Sequence, residues 1–267
     1  MISPDLNTET VNGVGVVSFN RPHRHNAITD ALFEKFCTAL RNCLGDPSVA
    51  CVLIRGEGRS FCSGRDTAEL GQRTVGEDDF AFVMKHQRIR LEILDSTKPV
   101  VAAVQGAALG GGFEIALSAD IRIIAEDALF GLPEVGLGLV PDTGGTQMLP
   151  ALVGPARAKY LVLSGARIDA RTAYAWGLAE EIVPTEALYD RAMALCRHLA
   201  AQPRLAISMA KLLVNQSTAG DIRNGIGQEL LAQTALFSSQ EYLAAKEAPR
   251  RRGRNSTGNN RSENPGL

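Results

Sequence analysis

Short, nearly unbroken apolar runs recur through the first half of the chain, separated by polar or glycine-rich joints. Val14-Gly15-Val16-Val17-Ser18-Phe19, Ala50-Cys51-Val52-Leu53-Ile54, Val100-Val101-Ala102-Ala103-Val104 and Ile121 to Ala125 are mostly apolar, interrupted by Ser18 and Arg122, and are predicted as strands. Between them the spacing changes. Thr29 is placed to cap a helix carrying Leu32, Phe33, Phe36 and Leu40 at helical intervals, stopped by Gly45 and Pro47. Further helices are predicted from Asp79 to Leu94 and from Gly112 to Leu117. Strands that are apolar on both faces, alternating with helices, predict an α/β fold with a mostly parallel sheet covered by helices. From Gly144 onward the pattern is helical near 144–153, 155–163, 170–176, 188–201, 204–215 and 221–245, with one short strand at Glu181-Ile182-Val183. This divides the chain into a core over 1–200, a helical subdomain over 201–248 and a tail over 249–267.

The chain has 267 residues, 45% of them hydrophobic, which is enough for one large domain with an appendage. Net charge is −1, so no overall field favours nucleic acid or a membrane surface. The tail is the exception: five arginines against Glu263 give it +4 and leave −5 on the remainder. Its Gly, Asn and Ser content reads as disordered and solvated, with a nucleic-acid or phosphate contact as the alternative. Five cysteines without C-x-x-C spacing and four histidines without an i, i+4 pair suggest neither a disulfide framework nor a metal site. Reduced thiols, no signal-like N-terminus and no apolar run of about 20 residues point to a cytoplasmic protein.

The candidate chemistry lies in two glycine-rich stretches, each accompanied by carboxylates. One runs Gly106-Ala107-Ala108-Leu109-Gly110-Gly111-Gly112-Phe113-Glu114. The other runs Leu132-Pro133-Glu134-Val135-Gly136-Leu137-Gly138-Leu139-Val140-Pro141-Asp142-Thr143-Gly144-Gly145. Consecutive glycines admit a close backbone approach, and N–H groups at a turn before a helix can hold a developing oxyanion. An acid or base three residues after Gly111 suits an enzyme that enolises a carbonyl. The glycine spacing is not that of a dinucleotide fingerprint, and no Gly-Lys-Ser/Thr marks a P-loop. A third loop, Arg59-Ser60-Phe61-Cys62-Ser63-Gly64-Arg65-Asp66, follows a strand and precedes a predicted helix. Asp142 just before Thr143-Gly144-Gly145 also reads as a helix N-cap. Glu134 in an apolar stretch has no such simple explanation.

Taken together, Asn20-Arg21-Pro22…Asn26-Ala27, Phe61 to Asp66, Gly106…Glu114, Ala119-Asp120-Ile121-Arg122 and Pro133 to Thr146 resemble the enoyl-CoA hydratase/isomerase (crotonase) family over about residues 10–240. The resemblance implies a spiral of ββα units with a helical C-terminal trimerisation subdomain. It also implies an acyl-CoA thioester substrate and a homotrimer or dimer of trimers. No metal or redox cofactor is implied, coenzyme A being part of the substrate. The backbone N–H groups of Arg65 and Gly111 would grip the thioester oxygen. His25, Ala27, Ser63, Asp66, Thr67 and Gly110 would border the substrate. Glu114 would activate water and Glu134 would protonate Cα, the two titrating as a pair with at least one pKa raised. Asp142 corresponds to an aspartate that serves as base or nucleophile in isomerising and dehalogenating members. Hydration of a trans-2-enoyl-CoA is therefore the leading expectation. Double-bond isomerisation through Asp142 and Glu134 is the alternative. A non-catalytic acyl-CoA-binding or RNA-binding role rests on the arginine run alone.

Overall fold

A computed structural model describes residues 5–69, 79–217 and 240. Two sheets organise them. The larger has the order β1 (Leu6–Val11), β2 (Val14–Phe19), β3 (Cys51–Gly56), β4 (Val100–Val104), β6 (Ile121–Ala125) and β9 (Glu181–Val183). The β1–β2 hairpin is antiparallel and every other pair in this sheet is parallel. The smaller sheet joins β5 (Ala107–Leu109), β7 (Leu129–Gly131) and β8 (Arg167–Asp169). Thus β4 and β5 precede the helix α3 (Gly111–Ser118), and β6 and β7 repeat the step from large sheet to small.

The unbroken apolar strands are explained by burial on both faces. Cys51 and Leu53 of β3 pack with Val14, Val16, Val101, Ala103 and Ile123 beneath the helix at Leu188–Ala200. Val52 and Ile54 point the other way, into a core shared with α1 (Asp30–Gly45), α2 (Asp79–Asp95) and α3. The predicted Thr29 cap is in place: its hydroxyl accepts from Leu32 N–H at 3.1 Å, and Leu32, Phe33, Phe36 and Leu40 are all buried. Beyond α3 come α4 (Gly145–Val153), α5 (Pro155–Ser164), α6 (Ala170–Ala175), α7 (Leu188–Ala200) and α8 (Arg204–Ser217). Lys211 ties α8 to the core. Its ammonium donates to the carbonyls of Ile93 and Lys98, and lies 2.9 Å from the Asp120 carboxylate.

Four strands of the described fold lie outside the sequence expectation. β1 is an edge strand whose Thr8, Glu9 and Thr10 are exposed and whose Asn7 is polar and half-buried, so it offers no apolar run. β5, β7 and β8 have three residues each, too few to display a period of two. The loop over 59–66 is not followed directly by a helix: up to Glu69 the chain makes turns and bends. The predicted helix over 221–245, most of the 201–248 subdomain and the 249–267 tail lie outside the described residues.

Candidate active site

Three turns meet where β5 ends. Gly110 has φ +50°, a left-handed conformation that glycine takes without strain, and it redirects the chain from β5 into α3. Its N–H donates to the Gly131 carbonyl. A Cβ on Gly110 would stand 2.8 Å from Oε1 of Glu134, so the glycine is what lets that carboxyl lie against the turn. Gly64, at φ +92°, faces the same turn: a Cβ there would sit 2.7 Å from the Leu109 carbonyl and 3.5 Å from Gly111 N.

Two N–H groups are left over at this junction. Gly111 is the first residue of α3, and its N–H has no carbonyl one turn earlier within the helix. Arg65 faces Ile28 across a parallel bridge in which Ile28 N–H donates to Gly64 and Asp66 N–H donates to Ile28. That pattern turns the N–H of Arg65 itself away from the bridge. Neither Arg65 N–H nor Gly111 N–H donates to a backbone carbonyl among the described residues. The Arg65 side chain lies aside, paired to Asp30 at 2.9 Å with its guanidinium 4.6 Å from the Phe82 ring centroid.

The three carboxylates have different surroundings. Glu114 is 2% exposed and sits one turn into α3. Thr143 N–H and Gly145 N–H each donate to its Oε1 at 2.9 Å, and the Thr143 hydroxyl donates to Oε2 at 2.6 Å. Glu134 is half-buried, and its Oε2 has no hydrogen-bond partner. Burial first, then the charges of Glu114 and Asp142, push its pKa up to about 7. Asp142 stands at the open lip of the site. Protein crowds its carboxyl enough that partial loss of water, and next the charge of Glu114, raise it above the usual carboxylate range. The N-cap expectation for Asp142 is corrected: α4 begins after Gly144, which caps it without any side-chain bond. Gln87 of α2 instead donates to the Asp142 carbonyl at 2.7 Å.

The remaining expected residues gather on the opposite side of the Arg65 turn. Ser63 N–H donates to the His25 carbonyl, and the His25 ring nitrogen Nδ1 is 2.9 Å from the Ser60 hydroxyl. Arg21 donates to the Ala27 carbonyl at 2.6 Å and to Asp66 at 3.2 Å. The Ala68 N–H and Arg21 hold Asp66 below the usual carboxylate range. Thr67 is exposed beside it, two residues before the last described position of this segment. His25, Ala27, Ser63, Asp66 and Thr67 thus form one rim, and Gly110, Gly111, Glu114 and Glu134 line the turn below it. Thr143, Gln87 and the buried Arg90 also belong to the site. Sequence reading assigned them no role, because a hydroxyl, an amide or a guanidinium acquires one only through partners 29, 55 or 21 positions away. Among the described residues no three His, Cys, Asp or Glu side chains are grouped to hold a metal ion, and no helix is long and apolar enough to cross a membrane.

Comparison with known proteins extends over nearly the whole chain. The enoyl-CoA hydratase/isomerase family profile matches residues 9–249. The chain is similar to 1,2-epoxyphenylacetyl-CoA isomerase of Escherichia coli K12, 32% identical over 251 residues that cover 91% of this chain and 96% of that protein. It is also similar to short-chain-enoyl-CoA hydratase of Clostridium acetobutylicum, 35% identical over 237 residues covering 88% and 90%. A solved enoyl-CoA hydratase from Bacillus anthracis superposes with a TM-score of 0.85 at 30% identity, covering 91% of this chain and 95% of that one.

Proposed function

Because the chain belongs to the enoyl-CoA hydratase/isomerase family, we propose that it adds water across a trans-2-enoyl-CoA to give a 3-hydroxyacyl-CoA. The observation that carries this reading is the asymmetry of two glutamates flanking one turn. Glu114 is fixed by three donors. Glu134 is unpartnered at Oε2 and titrates near neutrality. A carboxyl with a pKa of about 7 is half protonated at neutral pH and serves as an acid there.

In this mechanism the thioester oxygen accepts hydrogen bonds from Arg65 N–H and Gly111 N–H. Charge then collects on it as the enolate forms. Glu114 orients a water through the remaining lone pair of Oε2 and takes its proton as the oxygen bonds to Cβ. Glu134 delivers a proton to Cα, and the enolate collapses to the saturated thioester. The fixed N–H pair needs no reorganisation during the step, and one such donor is worth about 100- to 1000-fold in rate.

A second reading is favoured by one feature. The bonds that hold Glu114 run to Thr143 and Gly145, which directly follow Asp142 in the chain. Glu114 would then anchor the loop, while Glu134 and Asp142 move a proton between carbons and shift a double bond. Incubation with 2-enoyl-, 3-enoyl- and dienoyl-CoA thioesters in heavy water separates the two. A product heavier by one water, lost in both Glu114→Gln and Glu134→Gln, is the expected result. Double-bond migration with deuterium uptake and no added water, abolished by Asp142→Asn, would overturn hydration in favour of isomerisation.

A further inference from the structure

The site contains a buried cation that the mechanism above does not use. Arg90 of α2 is 4% exposed. Its Nη2 donates to the Gly111 carbonyl at 3.2 Å, its Nη1 reaches the His86 carbonyl at 3.4 Å, and its Nε has no partner. Among the described residues it forms no ion pair. A guanidinium in this position is costly to bury without a counter-charge.

The groups around it explain the vacancy. From α1 it faces the Cys37 thiol and from the loop after β3 the Cys62 thiol, and burial pushes these up to about 11 and about 12, so both are neutral. His86, stacked against Phe33 at 4.0 Å and beside Phe82 at 4.2 Å, is pushed down to about 4 and is neutral as well. The nearby charges are Glu114 from α3 and Asp142 from the lip. Glu114 is already held by Thr143 and Gly145, and neither acid contacts Arg90 directly. The cation, its guanidinium carbon 5.7 Å from the Phe33 ring centroid, is therefore attached to the carbonyl of the residue whose N–H would face the thioester, and among the described residues it has no direct ion-pair partner.

We propose that Arg90 is a positioning residue for enolate formation: it clamps the Gly111 peptide at the start of α3 and places a fixed positive charge behind the oxyanion turn. This rests on the acyl-thioester reading of the site but is common to hydration and isomerisation, since both pass through an enolate. In a low-dielectric interior a charge acts over several ångströms. As the thioester oxygen becomes negative, Arg90 gains a partner that the free enzyme lacks, so its contribution is larger in the transition state than in the ground state.

The test needs no turnover. A 3-ketoacyl-CoA loses its α-proton to water, and its enolate is read by near-ultraviolet absorbance during a pH titration of the protein-bound thioester. The native protein is expected to lower the enolate pKa relative to free thioester. Arg90→Met and Arg90→Gln, the latter keeping a donor for the Gly111 carbonyl, are expected to raise the bound value by about one unit, a tenfold loss of enolate. Arg90→Lys is expected to restore most of it. With the enoyl thioester the neutral variants should lose kcat with little change in KM. If Arg90 were merely structural, the variants would lower the melting temperature and the active fraction but leave the enolate pKa of the folded protein unchanged; that result overturns the proposal. Should Arg90→Met not fold, Arg90→Gln carries the same comparison. A native protein that leaves the enolate pKa at its free value would instead overturn the acyl-thioester reading itself.

Discussion

Replacing Glu134 with Gln should make the protein more stable and less active, with the stability gain depending on pH. In the folded state burial and two neighbouring carboxylates raise the Glu134 pKa from an ordinary 4.5 to about 7. The folded protein therefore binds a proton there over a range where the unfolded chain does not. Stability falls as pH rises whenever the native state holds more protons. The contribution is fully present below pH 4.5, declines between 4.5 and about 7, and is gone above that. At about 1.4 kcal/mol per unit, the shift sets a ceiling of about 3 kcal/mol. Glu134 is only half-buried, so solvent screening reduces this to about 1–2 kcal/mol. Glutamine keeps the shape and cannot ionise. The stability of Glu134→Gln minus that of the native protein should thus be pH-independent near pH 4.5, grow through the window and level off above about 7.5. Urea unfolding at matched protein concentration, from pH 4.5 to 8.5, measures this, and taking the difference cancels carboxylates that titrate alike in both proteins. Over the same range kcat for hydration should fall by about 100- to 10,000-fold. A stability difference that stays flat with pH would refute the argument, because Glu134 would then carry its charge into the fold without penalty.

Two further substitutions test the scaffold of the site. Gly110→Ala places a Cβ at φ +50° and 2.8 Å from Glu134 Oε1; a loss of about 2 kcal/mol in urea unfolding and a fall in kcat of more than tenfold are expected, and a variant with native stability and rate would show that the turn does not hold Glu134. Lys211→Met strands the Asp120 carboxylate, whose only cation within 4 Å among the described residues is Lys211. Chemical unfolding should show a loss of about 3 kcal/mol, partly recovered in the double variant with Asp120→Asn, which can still accept from Val100 N–H.

Much of the fold was legible because its elements satisfy local rules. Thr29 and the four apolar residues after it specify α1 without reference to any partner. The strands β2, β3, β4 and β6 are apolar on both faces, a pattern that only a covered sheet accounts for. The departures are equally physical. β1 carries a polar face because it edges the sheet. The three-residue strands of the smaller sheet are set by pairing partners, such as Ala108 with Phe130 and Phe130 with Ile168. The N-cap expectation for Asp142 failed because the turn at Gly144, with φ +118°, starts α4 two residues later.

For the site, the sequence by itself determined which groups are available: two glycine-rich stretches, 106–114 and 132–145, that carry three carboxylates. It could not determine their states. The tertiary structure decided that Glu114 is held by Thr143 and Gly145 while Glu134 Oε2 stays unpartnered, and that Arg90 lies behind Gly111 without a direct ion-pair partner among the described residues. The reason is one of range. Backbone conformation and periodic burial are set by neighbours within a few residues, whereas hydrogen bonding and pKa depend on distance through space and on lost water, which chain order does not encode.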